Sequence, residues 1–162
     1  MWFDKKDLTV KPTIKVNDLH GYVLPHAGTA YTGEIISHTL RFRPTKKISK
    51  VIILYYPSSE TPDITINDSN GTTLSYYHEY YVPWKSIDYF FNDSNNDTNN
   101  NTSNTIKYEG YNINDLSNLD INKIKQSFNI LDTLIVVSSD FSHFLPFDTA
   151  IDLENKAAHS LM

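Results

Sequence analysis

Residues 21–42 read GYVLPHAGTAYTGEIISHTLRF, and two periodicities follow one another along them. Leu19 to Leu24 is a short apolar run that stops at Pro25, the pattern of a strand. Tyr31 to Phe42 then places Ile35, Thr39 and Phe42 on one helical face, with Ile36 and Leu40 beside it. The turn between them is Pro25-His26-Ala27-Gly28, and Gly28 and Gly33 bracket the start of the helix.

The same alternation continues outward from this unit. Val51 to Tyr56 (VIILYY) is a continuous apolar run rich in β-branched residues, which predicts a strand covered on both faces, and Pro57 ends it. Ile64 to Ile66 and Thr72 to Leu74 flank Asn67-Asp68-Ser69-Asn70-Gly71, a strong turn signal, so a hairpin is expected. Ser117-Asn118-Leu119-Asp120 fits a capping box with Asp in place of Glu. The helix it opens puts Ile121, Ile124, Phe128 and Leu131 on one stripe. Leu134 to Val137 reads as another buried strand. After Pro146 a helix is expected from Phe147 to the last residues, with Ile151, Ala158 and Leu161 facing inward. Strands alternating with helices predict an α/β domain in three layers, a mostly parallel central sheet flanked by helices. Residues 1–162 form a single domain on this reading. Residues 92–104, NDSNNDTNNNTSN, contain no apolar side chain and are expected to form a disordered Asn-rich surface insertion.

Composition narrows the function classes. The chain has 162 residues, 40% of them hydrophobic, enough for one domain with a core. A net charge of −5 argues against a nucleic-acid surface, which needs clustered Lys and Arg. The basic stretch Arg41 to Lys50 is broken by Pro44 and reads as a solvated helix end and loop. The absence of cysteine excludes disulfides, thiolate metal sites and a Cys nucleophile. Residues 1–6, MWFDKK, carry no apolar signal region, and no apolar run approaches a membrane span. A cytoplasmic protein without membrane or nucleic-acid partners is expected. Tyr 11 and Phe 8 are high counts, and the tyrosines between Tyr76 and Tyr89 suggest a partly buried aromatic layer.

In an open parallel sheet, ligands bind beyond the carboxyl ends of the strands. Three predicted strands end there in polar loops: Pro25-His26-Ala27-Gly28, Pro57-Ser58-Ser59-Glu60 and Ser138-Ser139-Asp140, with His143 shortly after. If the strands are parallel neighbours, His26, Glu60, Asp140 and His143 converge on one rim. Two imidazoles and a carboxylate can form the facial triad of non-haem iron, and can also bind zinc or copper. Asp140 has a second reading, because an Asp after a strand commonly caps the following backbone. His20, His38, His78, Glu79 and His159 receive no catalytic role. No Gly-x-Ser-x-Gly elbow and no Gly-rich phosphate loop is present.

Gly21 to Phe42 resembles the opening motif of the Memo family: a strand, Pro-His-Ala-Gly, an aromatic, a small residue and Gly, then a helix. Leu134 to His143 matches the family's strand followed by Ser-Ser-Asp-x-x-His. Val51 to Glu60 resembles the next family strand, which normally ends Gly-Pro-Ser-His-His. Trp84-Lys85-Ser86-Ile87-Asp88 looks like a copy of its Glu-His-Ser-Ile-Glu segment. The resemblance covers residues 19 to 162 apart from the Asn-rich insertion. It implies a dioxygenase-like fold, related to the class III non-haem extradiol dioxygenases. It also implies a metal pocket, for iron or copper, lined by His26, Asp140 and His143. Animal members, linked to cell motility, work through phosphotyrosine-dependent partners, which implies a protein or peptide partner. Three departures stand out. Ser59 and Lys85 replace family histidines, Asp88 replaces a Glu, and the pocket-lining Cys of the family's C-terminal part has no counterpart here. A C-terminally truncated domain is therefore expected. Two functions follow: a non-catalytic domain with a degenerate metal pocket, or a metal-dependent oxidoreductase using His26, His143 and a carboxylate, Asp140 or Glu60.

Overall fold

The structure, a computed structural model, describes residues 1–92, 105–115, 121–142 and 145–161. The Asn-rich stretch from Asp93 onward, the expected capping box at Ser117–Asp120 and His143 lie outside the described residues. Among the described residues there are eight strands: β1 (Ile14–Val16), β2 (Gly21–Leu24), β3 (Phe42–Pro44), β4 (Lys50–Tyr55), β5 (Ile64–Asn67), β6 (Thr73–Tyr76), β7 (Lys107–Asn112) and β8 (Thr133–Ser138). The helices are α1 (Thr29–Leu40), α2 (His78–Phe91), α3 (Ile121–Ser127) and α4 (Phe147–Leu161).

The central sheet has the order β2-β8-β4-β7 and all its pairs are parallel. Its centre is apolar because β4 and β8 are Ile/Val/Leu runs: Val51, Ile52, Ile53, Leu134 and Val136 are fully buried. The register puts Tyr22 beside Val136, Val136 beside Ile53, and Leu134 beside Val51. These residues share one face and pack with Ile36 and Leu40 of α1 and Val82, Ile87 and Phe90 of α2. On the opposite face, where Ile52 pairs with Glu109, the Ser127 hydroxyl at the end of α3 donates to Glu109 at 2.6 Å. The fold is thus α/β, a four-stranded parallel sheet flanked by helices. No helix among the described residues is long and apolar enough to cross a membrane.

The hairpin forms where expected, with β5 antiparallel to β6. Asp68 organises its turn: one carboxylate oxygen accepts from the amides of Asn70 and Thr72 at 2.9 and 2.8 Å. Gly71 takes a positive φ of 79°, open to glycine at no steric cost.

The helix faces differ from the expected ones. In α1 the buried stripe is Thr29, Thr32, Gly33, Ile36, Ser37 and Leu40, while Ile35 is 60% exposed and Phe42 belongs to β3. The reason is close approach. The turn Lys5–Asp7 lies against α1, and a Cβ on Gly33 would collide with the Asp7 carbonyl. The buried side therefore joins Ile36 and Leu40 to small residues, and Ile35 is left outside it. The stripe expected after the capping box is only half-buried: Ile124 and Phe128 are partly covered, Ile121 and Leu131 are exposed, and α3 ends at Ser127, before Phe128 and Leu131. In α4, Ile151 and Ala158 face solvent instead of the core, and the side chain of Leu161 lies outside the described residues.

Candidate functional site

The strand order builds the site. Because β8 lies directly against β2, Leu24 is paired with Ser138, and the Ser139 amide donates to the Leu24 carbonyl at 2.9 Å. Two residues beyond each strand, His26 and Asp140 arrive side by side. One Asp140 oxygen, Oδ1, accepts from the His26 amide at 2.7 Å and the Ala27 amide at 3.4 Å. The other, Oδ2, stands 3.5 Å from His26 Nε2. Asp140 was expected to cap the backbone that follows it; the amides it accepts from belong instead to the loop after β2. It caps the Pro-His-Ala-Gly turn, and it presents an oxygen to the imidazole. Both side chains are mostly buried, at 16% and 13% exposure.

The other imidazole nitrogen is held from the strand below. His26 Nδ1 lies 2.9 Å from Ser138 Oγ, and the Ser138 hydroxyl donates to the Glu79 carbonyl at 2.5 Å. Glu79 itself is fully buried in the first turn of α2. Its Oε1 accepts from the Ser58 amide at 2.6 Å, at the end of β4. A carboxylate there is also favoured by the helix dipole. Glu79 Oε2 makes no hydrogen bond and sits 3.5 Å from His78 Nδ1. That nitrogen is 2.6 Å from Asp63 Oδ2, and the Asp63 carboxylate also accepts from the His78 amide at 2.9 Å. The His78 ring is edge-on to His26, with centroids 5.6 Å apart, and its face is covered by Trp2 stacked at 3.9 Å.

The convergence expected at the rim thus holds for His26 and Asp140. His143, the other expected ligand, lies outside the described residues. Glu60 is exposed, and the carboxylate that β4 and α2 bring to the rim is Glu79. Glu79 and His78 were read only as members of the tyrosine-rich stretch. The signal that could have found Glu79 is Pro83, one helical turn later, because it implies that a backbone carbonyl in this region needs another donor. Ser59 is exposed, with its hydroxyl on the Thr61 carbonyl. Lys85 points elsewhere along α2, over the Trp84 ring at 4.8 Å and 3.8 Å from Asp88. Asp88 is engaged by Tyr108 and Asn92. Among the described residues, no group of three His, Asp or Glu is arranged to hold a metal ion.

The tyrosines form the packing layer that their clustering suggests. Tyr76, Tyr80, Tyr81 and Trp84 touch one another at centroid separations of 5.3–6.1 Å, and Tyr55 and Tyr108 extend the group. Burial pushes the Tyr80 phenol up to about 12 and raises the Tyr108 phenol as well. Tyr108 donates its hydroxyl to Asp88 at 3.2 Å.

Comparison of the chain with protein-family models, with curated proteins and with solved structures found no match.

Proposed function

We propose that the chain is a Memo-like domain, with the dioxygenase-like arrangement that name implies, and that it holds a divalent transition metal between His26 and Asp140. The observation that supports this most is the 3.5 Å approach of His26 Nε2 to Asp140 Oδ2, with the remaining atoms of both groups already held by the protein. Two ligands bound to one metal at about 2.0–2.2 Å each are separated by roughly that distance. The chemistry of the donors fits as well, since a ligating imidazole normally has its second nitrogen held by a neighbouring group. The two donors fit a metal; a third would come from His143, three residues beyond Asp140. Iron or copper, when bound, supplies one-electron redox chemistry. The chain's own residues orient the imidazole through Ser138 and the carboxylate through the His26 and Ala27 amides. Lys85 does not oppose the proposal, because its ammonium is directed to Trp84 and Asp88.

A second reading is supported by Asp140 Oδ1, which caps two backbone amides. On that reading the rim is a clamp, and the domain is a non-catalytic module for a protein or peptide partner. Metal content separates the two. The protein is purified without chelator, loaded with Fe(II), Cu(II) or Zn(II), and assayed for bound metal after gel filtration. The proposal expects about one equivalent, lost in His26→Ala and in His143→Ala. No retained metal in the folded wild-type protein leaves the clamp.

A further inference from the structure

We propose that the outer face of α1 is the surface through which two copies of this chain pair about a twofold axis, their α1 helices antiparallel. The pairing is independent of the donor pair at the rim. This face carries large apolar side chains that the fold leaves in solvent. Tyr31 is 87% exposed, and Ile35, one turn on, is exposed as well. His38 continues the line, and Phe42, the first residue of β3, ends it; both are exposed. Val10 and Ile14 add to the same surface. The segment before β1 runs along α1, with the Thr9 amide on the Ser37 hydroxyl at 3.0 Å and Lys11 on Glu34 at 2.7 Å. Val10 therefore stands beside the helix, and Ile14 is paired with Phe42.

α1 thus has two apolar faces, and the fold buries one of them, that of Ile36 and Leu40. On the other, Tyr31, Ile35, His38 and Phe42 follow one another at steps of 4, 3 and 4 residues. That alternation is the seam by which one helix packs along another. Contiguous exposed apolar side chains of this kind mark an association surface.

The charges beside the seam select a second copy as the occupant. Glu34 and Arg41 are seven residues apart, so they lie on one flank of it. Arg41 keeps helical backbone angles at the C-cap, and its guanidinium lies over the Phe42 ring at 5.5 Å. Among the described residues it has no carboxylate partner, and its Nε is buried without a hydrogen bond. In an antiparallel helix pair each flank faces the same flank of the partner. With Tyr31 against the partner's Phe42 and Ile35 against the partner's His38, Glu34 falls opposite the partner's Arg41. The twofold axis makes each of these contacts twice. A parallel pair would set Glu34 and Arg41 against the other flank, where Thr32 and Thr39 carry no charge. α1 starts just past the Pro25-His26-Ala27-Gly28 turn, so antiparallel pairing puts the two rims at opposite ends of the interface.

Sedimentation velocity of the full chain over a concentration series reads the pairing. Wild type is expected to pass from monomer to dimer as concentration rises. Ile35→Glu changes an exposed side chain at the centre of the seam and is expected to weaken association by about a hundredfold or more. Glu34→Arg and Arg41→Glu each set like charges across the axis, and each alone is expected to weaken it by about tenfold or more. Mixed one to one, these two variants are expected to pair as a heterodimer, because each then meets the opposite charge. Mixing would not repair a folding defect. If Arg41→Glu does not fold, Ile35→Glu and Glu34→Arg decide. A wild type that stays monomeric up to roughly 0.5 mM overturns the proposal. So does a dimer that Ile35→Glu or Glu34→Arg leaves intact, or a mixture that associates no better than its components.

Discussion

Ser138 is the residue on which the site depends most, because it joins a helix carbonyl to an imidazole inside the protein. Ser138→Ala leaves the Glu79 carbonyl buried without its donor, a loss of about 1–3 kcal/mol measurable by urea unfolding. Ser86 gives the opposite case. Its hydroxyl is fully buried with no hydrogen-bond partner, so Ser86→Ala should be neutral or stabilise by up to about 1 kcal/mol. Glu109 carries a pH dependence. The Ser127 hydroxyl first, then Lys107, hold its carboxyl down from 4.5 to about 2. A lowered folded value means stability that is complete above the ordinary carboxylate range and lost as pH falls from 4.5 through about 2. Glu109→Gln should flatten the unfolding free energy across that window. His26 and Asp140 were legible in sequence because each follows a short apolar strand by two residues, and neighbouring parallel strands bring such positions together. Glu79 and His78 were not. They open a helix that Pro83 and a run of aromatics disguise, so no period announced it.

At the scale of elements, close approach decided what periodicity could not. The first helical segment was expected to present Ile35, Thr39 and Phe42 on one face with Ile36 and Leu40 beside it; Ile36 and Leu40 are buried, but they share their side with small residues, since the Lys5–Asp7 turn needs the space at Gly33. Gly33→Ala should destabilise by about 1–3 kcal/mol, because the obstacle is backbone and cannot swing away. Gly110 faces the Tyr80 ring instead, a side chain with some freedom to give, so Gly110→Ala should cost less. The hairpin was legible because Asp68 and Gly71 are turn residues for local reasons. α4 was legible as a helix but not in its placement. None of its described side chains is buried, whereas β4 and β8 are at the centre of the core. Hydrogen exchange should therefore find the α4 amides at least roughly a hundredfold faster than those of Ile52 and Ile53. Equal protection would mean that α4 is packed in solution.

For the whole molecule, the parallel sheet was legible from three apolar runs, and the order β2-β8-β4-β7 was not, since nothing in the runs states which is beside which. That order matters most for function. It sets the end of β8 against the end of β2, and everything proposed for the rim follows from this pairing. Ile53, fully buried in the central strand, tests the core: Ile53→Ala should cost about 2–5 kcal/mol in a cooperative unfolding transition. The central claim is that His26 and Asp140 form a donor pair for a divalent metal. It is tested most directly by titrating the ¹⁵N-histidine-labelled protein with Zn(II), a diamagnetic stand-in for iron or copper. The account predicts a saturable shift of His26 Nε2 at one equivalent, with the response absent in Asp140→Ala. A His26 spectrum that does not change, or a metal taken at Nδ1, would contradict it.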